Sequence, residues 1–276
     1  MTRSKLRYLA ALSLAAACGG SAPPPPAAPK AGPAPSASEQ LVDHKLWFRS
    51  FAGTLPAILF EAGGGADSSS WKDLPERIAR STGHRVVAYD RAGFGKSPFP
   101  DQPFTVADEI EQLHRSLGML GIDRVIVVAE SYGGMMAVAL VKHRPDSVAG
   151  MVLLDPMNVG FVDAVGLDKM AATAPKIESP NNDRERALAR MIGGFPALVD
   201  ELRGQRWGSI PAVIITAGTP PWPDESMRMA WRTSHEELAR TPGARLIVAA
   251  KSGHIIGRTE PELIIDAVKT TLAAVR

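Results

Sequence analysis

The chain of 276 residues is poor in cysteine, in net charge and in long apolar runs. It has a single cysteine, so it can form neither a disulfide framework nor a cysteine-rich metal site. Its formal net charge is only +2, whereas a domain that holds nucleic acid is usually far more basic. No run reaches the roughly 18–20 apolar residues that a membrane-spanning helix needs. These absences argue against a disulfide-stapled domain, a nucleic-acid partner and a transmembrane helix.

The N-terminal 40 residues have a composition of their own. Arg3, Lys5 and Arg7 precede an apolar segment that is too short to span a bilayer and ends in small residues. This order is typical of a signal peptide, and we predict one at residues 1–17. Residues 18–40 form a proline- and alanine-rich stretch that is typical of a semi-rigid tether rather than of a folded core.

The residues before Cys18 suggest what the tether is for. Leu14-Ala15-Ala16-Ala17-Cys18 resembles the lipobox of bacterial lipoproteins, with Ala15 where leucine is more usual. The resemblance implies a lipid on the Cys18 thiol and an exported protein anchored to a membrane of the bacterial cell envelope, on the periplasmic or outer-membrane side. An ordinary secretory signal cut near Ala17 is the alternative.

From residue 41 to residue 276 the sequence predicts one α/β domain. Amphipathic stretches such as Thr105–Leu120 and Pro261–Val275 alternate with short apolar runs that lack a period of two, as expected of parallel strands buried on both faces. The predicted strands are Ala57–Phe60, Arg85–Tyr89, Val125–Ala129, Met151–Leu154, Ala212–Thr216 and Leu246–Ala249. Such a sheet carries helices on both faces and binds its ligands at the carboxyl ends of the strands.

Residues 157–207 interrupt this alternation. The segment contains prolines, glycines and two helical patterns but no convincing strand. We predict a small helical cap over the site, with a peripheral helical excursion as the alternative. Five large side chains could line an acyl pocket there or form the core of the cap: Phe161, Met170, Met191, Phe195 and Trp207.

The turn after the strand at Val125–Ala129 predicts a nucleophile. Glu130-Ser131-Tyr132-Gly133-Gly134 lies between a strand and a helix, the context of a nucleophile elbow. Such a turn exposes the serine hydroxyl and brings strand and helix close together. The positions two before and two after the serine must therefore be small, and they are Ala129 and Gly133.

On these residues the chain resembles the α/β-hydrolase superfamily over about residues 42–276. Three further segments match in order: Phe60–Gly65, where the family has its oxyanion loop; Tyr89–Ser97, its turn after the fourth strand; and Ser252-Gly253-His254, its catalytic histidine. The resemblance implies an α/β-hydrolase fold with Ser131 as nucleophile and His254 as base. It also implies an oxyanion hole built from the backbone N–H groups of Gly64 and Tyr132.

Two aspartates compete for the role of catalytic acid. The family most often places the acid after its seventh strand, where Asp224 is the first candidate, but three prolines intervene and would hold the chain extended. Asp155 directly follows Met151–Leu154, and some members of the superfamily place their acid there. We favour Asp155, which also keeps the chain order serine, acid, histidine.

Nucleotide-binding motifs are incomplete in this chain. Gly95-Lys96-Ser97 resembles the end of a phosphate-binding loop, but Asp90 stands where its first glycine should be. Ser68 likewise replaces the third glycine of a dinucleotide fingerprint. The sequence thus predicts a serine hydrolase, similar to carboxylesterases, that needs no cofactor and no metal. Its expected substrate is a small ester; an amidase or aminopeptidase, or a non-catalytic binding lipoprotein, is the alternative.

Overall fold

The computed structural model describes residues 36–100 and 102–275. Within them, eight strands form one sheet: β1 (Ala37–Val42), β2 (Leu46–Phe51), β3 (Thr54–Glu61), β4 (His84–Asp90), β5 (Val125–Glu130), β6 (Val148–Leu154), β7 (Ala212–Ala217) and β8 (Ala244–Ala249). Their order across the sheet is β1-β2-β4-β3-β5-β6-β7-β8. The pairs β1–β2 and β2–β4 are antiparallel, and the other neighbouring pairs are parallel. The predicted, mostly parallel sheet is confirmed.

Helices cover both faces of the sheet. They are α1 (Leu74–Thr82), α2 (Val106–Met119), α3 (Tyr132–His143), α4 (Val159–Val165), α5 (Leu167–Thr173), α6 (Asp183–Leu202), α7 (Glu225–Leu238) and α8 (Pro261–Ala274). The apolar sides of α1 and α8 pack on one face, and those of α2, α3 and α7 pack on the other. In α2, Val106, Ile110, Leu113 and Leu117 are buried at helical spacing, and the Thr105 side chain accepts a hydrogen bond at its N-terminus.

The positions of β5 and β1 in the sheet explain why only β5 was predicted from the sequence. Every residue of β5 is buried, since helices cover both of its faces, and the strand therefore consists almost wholly of apolar residues. Most residues of the edge strand β1 are exposed, and no apolar run marks it. Because β1 begins at Ala37, the folded region starts four residues earlier than the predicted boundary at residue 41.

The segment between β6 and β7 consists of helices α4, α5 and α6 and forms the cap. Asn158 and Asn182 cap the N-termini of α4 and α6 with their side chains. Phe161 of α4 stacks on Trp222 and meets Trp231 of α7 edge to face, with ring centres 4.8 and 4.7 Å apart. These aromatic contacts attach the cap to the segment that follows β7.

In the part of the chain that the structure describes, no helix has the length and apolar character needed to cross a bilayer. The predicted signal peptide at residues 1–17, Cys18 and the predicted tether up to residue 35 lie outside the described residues.

Candidate active site

Ser131 occupies the tight turn between β5 and α3. Its φ and ψ of 52° and −121° lie where residues other than glycine are strained, typically by about 1–3 kcal/mol. The turn is held at both ends: the Ser131 N–H donates to the carbonyl of Leu154, and the Ser131 carbonyl accepts from the N–H groups of Gly134 and Met157. Gly133 is required here, because a Cβ at this position would lie 2.5 Å from the carbonyl oxygen of Glu61.

His254 and Asp155 come from different strand ends and meet directly. His254 follows β8 and Asp155 follows β6, and the Nδ1 of the histidine lies 2.7 Å from the Oδ2 of the aspartate. Asp155 also has a positive φ of 41°, so its backbone turns sharply at the end of β6. The structure thus brings together the histidine and the acid that the sequence analysis favoured, although they are 99 residues apart.

The other carboxylate oxygen of Asp155 accepts two short hydrogen bonds, and the Thr216 hydroxyl lies 3.4 Å from it. Its Oδ1 receives the backbone N–H of Ala217 and the indole N–H of Trp231, each at 2.9 Å. Burial alone would raise the pKa of Asp155, but the hydrogen bonds from His254, Ala217 and Trp231 hold it below its usual value. Asp155 is therefore a buried carboxylate that stays ionised and can stabilise an imidazolium at His254.

Two buried titratable groups surround this pair. Glu130, the residue before Ser131, is nearly buried, and this burial raises its pKa to about 7. His235 on α7 is fully buried, and burial lowers its pKa. Its Nε2 donates to the carbonyl of Pro156 and its Nδ1 accepts from the Thr216 hydroxyl, as in a neutral imidazole. His235 is therefore a core histidine.

Asp224 has a different role. Its side chain caps the N-terminus of α7 by accepting the Met227 N–H at 2.7 Å, and it forms an ion pair with Lys169 of the cap at 2.9 Å. The Lys169 ammonium and the Met227 N–H hold the pKa of Asp224 well below its usual range. The exposed carboxylate is thus held by groups on the surface.

A buried arginine holds the predicted oxyanion loop by hydrogen bonds to its backbone. Arg91 donates to the carbonyl oxygens of Ala62 and Gly63, at 2.6 and 2.5 Å, and forms a buried ion pair with Glu61. Its guanidinium carbon also lies 5.4 Å from the centre of the Tyr132 ring. Gly64 and Tyr132 are the two predicted oxyanion-hole residues. The Arg91 guanidinium therefore contacts the two residues directly before Gly64 and the side chain of Tyr132.

A largely apolar cavity of about 870 Å³ opens beside Ser131. Gly64, Gly65 and Tyr132 line it, and α5 and α6 supply most of the other lining residues. The large apolar side chains that line it are Met157, Leu167, Met170, Leu188, Met191, Ile192, Phe195 and Trp222. Of the five side chains for which the sequence left an acyl pocket and the cap core open, Met170, Met191 and Phe195 line the cavity. Phe161 packs in the cap core, and Trp207 lies beside a separate small cavity. A methionine-rich wall can adapt to apolar groups of different shape.

Comparison with known proteins identifies the family. A family model described as the alpha/beta hydrolase fold matches residues 56–195, and the chain belongs to this family. The sn-1-specific diacylglycerol lipase ABHD11 of Mus musculus is 30% identical over 188 residues, which are 68% of this chain and 58% of the lipase. A proline iminopeptidase of Lactobacillus delbrueckii subsp. bulgaricus is 26% identical over 128 residues, 45% of this chain and 43% of the peptidase.

A solved structure shows the same fold. A thermophilic esterase from Thermogutta terrifontis, with malate bound, matches with a TM-score of 0.59 at 19% identity, over 87% of this chain and 98% of the esterase. Lipase, peptidase and esterase are the activities of those proteins.

Three residues of this region, Glu130, Arg91 and Trp231, were not predicted from the sequence. Glu130 and Arg91 stand inside motifs that had been recognised for Ser131 and for the turn after β4. Trp231 lies in a polar stretch where no helix had been predicted, and its partner Asp155 is 76 residues away. No local pattern signals a contact of that kind.

Proposed function

We propose that this protein is a serine hydrolase that cleaves a small carboxylic ester through an acyl-enzyme intermediate. The observation that carries the proposal is the 2.7 Å hydrogen bond between His254 and the buried Asp155, at the same end of the sheet as the strained Ser131 turn. An acid-oriented histidine and a serine in a strand-to-helix turn, at the same end of one sheet, are the components that activate a hydroxyl for acyl transfer.

The proposed reaction has two halves. Ser131 Oγ attacks the ester carbonyl while His254 takes its proton, and the N–H groups of Gly64 and Tyr132 bind the oxyanion. His254 then passes the proton to the alcohol, which leaves as the ester C–O bond breaks. Water attacks the acyl-enzyme in the same way, and the acid and free Ser131 are released. Asp155 keeps the histidine in the required tautomer throughout.

The cavity supports an apolar substrate group. Its volume falls in the range of pockets that enclose small organic ligands, and most of its wall is aliphatic or aromatic. Met191 of α6 reaches the oxyanion loop, since a Cβ added at Gly64 would lie 3.3 Å from its Cε. We therefore expect the acyl group of the substrate to lie along the α6 wall.

The nucleophile gives the first test. Ser131→Ala should lower hydrolysis of p-nitrophenyl esters by about 10⁴–10⁶-fold, since Ser131 and His254 act as a unit. The same variant should lose covalent labelling by a fluorophosphonate probe and keep its circular dichroism spectrum. Substantial turnover by purified Ser131→Ala would refute the mechanism. A folded wild-type protein that neither turns over esters nor takes the probe would indicate a binding module.

An amidase or aminopeptidase of the same fold is the second candidate, and the similarity to a proline iminopeptidase favours it. Ester and amide hydrolysis use the same serine and histidine, and the leaving group differs. Parallel measurements of kcat/KM on esters of increasing acyl length and on aminoacyl amides decide between the two. Higher kcat/KM on aminoacyl amides would reassign the substrate without changing the nucleophile.

We also propose that the mature enzyme is exported and anchored to a membrane of the bacterial cell envelope by a lipid on Cys18. The lipobox-like residues 14–18 and the proline-rich residues that follow support this proposal. Each buried methylene of an acyl chain contributes about 0.8 kcal/mol to membrane binding, so several chains hold a protein firmly. Cys18→Ser should move the protein from the membrane fraction to the soluble fraction with kcat unchanged. A wild-type protein without lipid mass contradicts the anchor.

A further inference from the structure

Trp231 is a fully buried residue of α7 whose polar atom points at the candidate acid. Its indole N–H donates to Asp155 Oδ1 at 2.9 Å. Three other tryptophans, Trp71, Trp207 and Trp222, bury an indole N–H that has no hydrogen-bond partner among the described residues. A buried tryptophan of this protein therefore does not need a partner for its N–H, and the hydrogen bond of Trp231 is specific to the site around Asp155.

Packing holds the Trp231 ring in the orientation that this hydrogen bond needs. Phe161 and Trp222 meet the ring from the cap side, with ring centres 4.7 and 5.4 Å away, and His235 meets it from the next turn of α7 at 4.8 Å. The ring of His254 lies 6.1 Å from it. Because these neighbours restrict rotation of the indole, its N–H stays directed at the carboxylate.

The two oxygens of Asp155 have separate tasks. Oδ2 faces His254, and Oδ1 accepts from Ala217 and Trp231. The Ala217 donor belongs to the backbone of β7 and is a consequence of the sheet. The Trp231 donor is a side chain, and it reaches the carboxylate from a separate element. A second donor on Oδ1 fixes the rotation of the carboxylate and draws negative charge away from Oδ2.

We propose that Trp231 is a positioning residue for the catalytic acid, whose N–H sets the orientation and the basicity of Asp155 toward His254. This role rests on the proposed serine hydrolase function. Trp231 also connects the acid to Phe161, a residue of the cap, so the arrangement of the cap core reaches the acid through one aromatic ring.

Other ionisable groups that face this pair are Glu130 at the end of β5 and His235 on α7, and Arg258 after β8 acts on Glu130. Trp231→Phe leaves all three in place. It removes one N–H and keeps an aromatic ring, so a change in pH dependence is attributable to the lost hydrogen bond.

Trp231→Phe should lower kcat for a p-nitrophenyl ester by about 10–100-fold, because a carboxylate that is free to rotate holds His254 less often in the reactive orientation. KM should change little. With one donor fewer, the Asp155 carboxylate stabilises an imidazolium more strongly. The acidic limb of the pH profile of kcat/KM should therefore move to higher pH by about half a unit or more. Trp207→Phe is the matched control: it also replaces a buried indole but removes no hydrogen bond, and it should alter neither quantity.

An unchanged pH profile in Trp231→Phe, with or without a loss of kcat, would overturn the proposal, since lost packing alone does not move it. If Trp231→Phe does not fold, replacing Trp231 by 3-benzothienylalanine keeps the ring shape, removes the N–H and gives the same two outcomes. Failure of the proposed function is recognised separately, because it would appear as undiminished turnover in Ser131→Ala or as no turnover in the wild type.

Discussion

Acidic residues lie at the buried ends of β5 and β6 and in the exposed loop after β7, and the two regions differ in how far they bury the carboxylates. Glu130 and Asp155 are almost fully buried, whereas Asp224 lies on the surface. A buried carboxylate is costly unless donors surround it or a proton neutralises it. Burial and hydrogen-bond partners, rather than position in the chain alone, therefore decide which carboxylate is available for catalysis.

In the buried region, one carboxylate is surrounded by donors and the other is favoured in its protonated form. Asp155 has hydrogen-bond donors on both oxygens and stays ionised. Among the described residues no hydrogen-bond donor contacts the Glu130 carboxylate, and burial raises its pKa to about 7. In the loop after β7, water solvates the Asp224 carboxylate, which serves as a helix cap and as a partner of Lys169.

The largest expected effect tests the contrast between Asp155 and Asp224. Asp155→Asn should lower kcat by up to about 10⁴-fold, because an amide in its place favours the wrong histidine tautomer. Steady-state kinetics on a p-nitrophenyl ester measure it, and circular dichroism checks the fold. If Asp155→Asn kept its activity and Asp224→Asn lost it, the acid would belong to the loop after β7.

The second effect concerns stability and tests whether burial raises the pKa of Glu130. Because its pKa is raised in the folded state from the ordinary 4.5 to about 7, folding becomes less favourable as pH rises through this window. The Glu130→Gln variant has no ionisable side chain at this position, so its unfolding free energy does not fall in this way. Relative to the wild type, it should gain up to about 3 kcal/mol of unfolding free energy between pH 4.5 and pH 8.

Urea unfolding at several pH values measures this difference. Glu236→Gln, a substitution at an exposed glutamate of α7, is the control and should change the unfolding free energy by no more than about 0.5 kcal/mol. A Glu130→Gln variant that followed the wild type at every pH would show that Glu130 is not destabilised by its surroundings.

The smallest effect belongs to the exposed loop. Asp224→Asn should leave kcat within about two-fold of the wild type and the melting temperature nearly unchanged, since asparagine caps helices as well as aspartate and surface ion pairs contribute little. Asp224→Ala removes the cap as well and should lower the melting temperature while sparing kcat. A large loss of kcat in Asp224→Asn would mean that the loop reaches the site.

Much of the fold could be predicted from the sequence, for a physical reason. The parallel strands β3 to β7 are buried along most of their length, and burial on both faces demands continuous apolar runs that are visible locally. The edge strand β1 is exposed, and α7 has a polar sequence around a few buried residues, so neither had a local signal. The N-terminal predictions concern residues outside the described part of the chain and stay predictions.

For the candidate site, sequence and tertiary structure determined different things. The residue types and their spacing by themselves determined the strand-to-helix turn around Ser131, the glycine-rich loop at residues 63–65 and the candidates His254, Asp155 and Asp224. Only the tertiary structure decided which aspartate contacts His254 and brought Trp231 to that aspartate. The reason is that a hydrogen bond between residues 76 or 99 positions apart depends on how strands and helices pack, and local pattern carries no record of it.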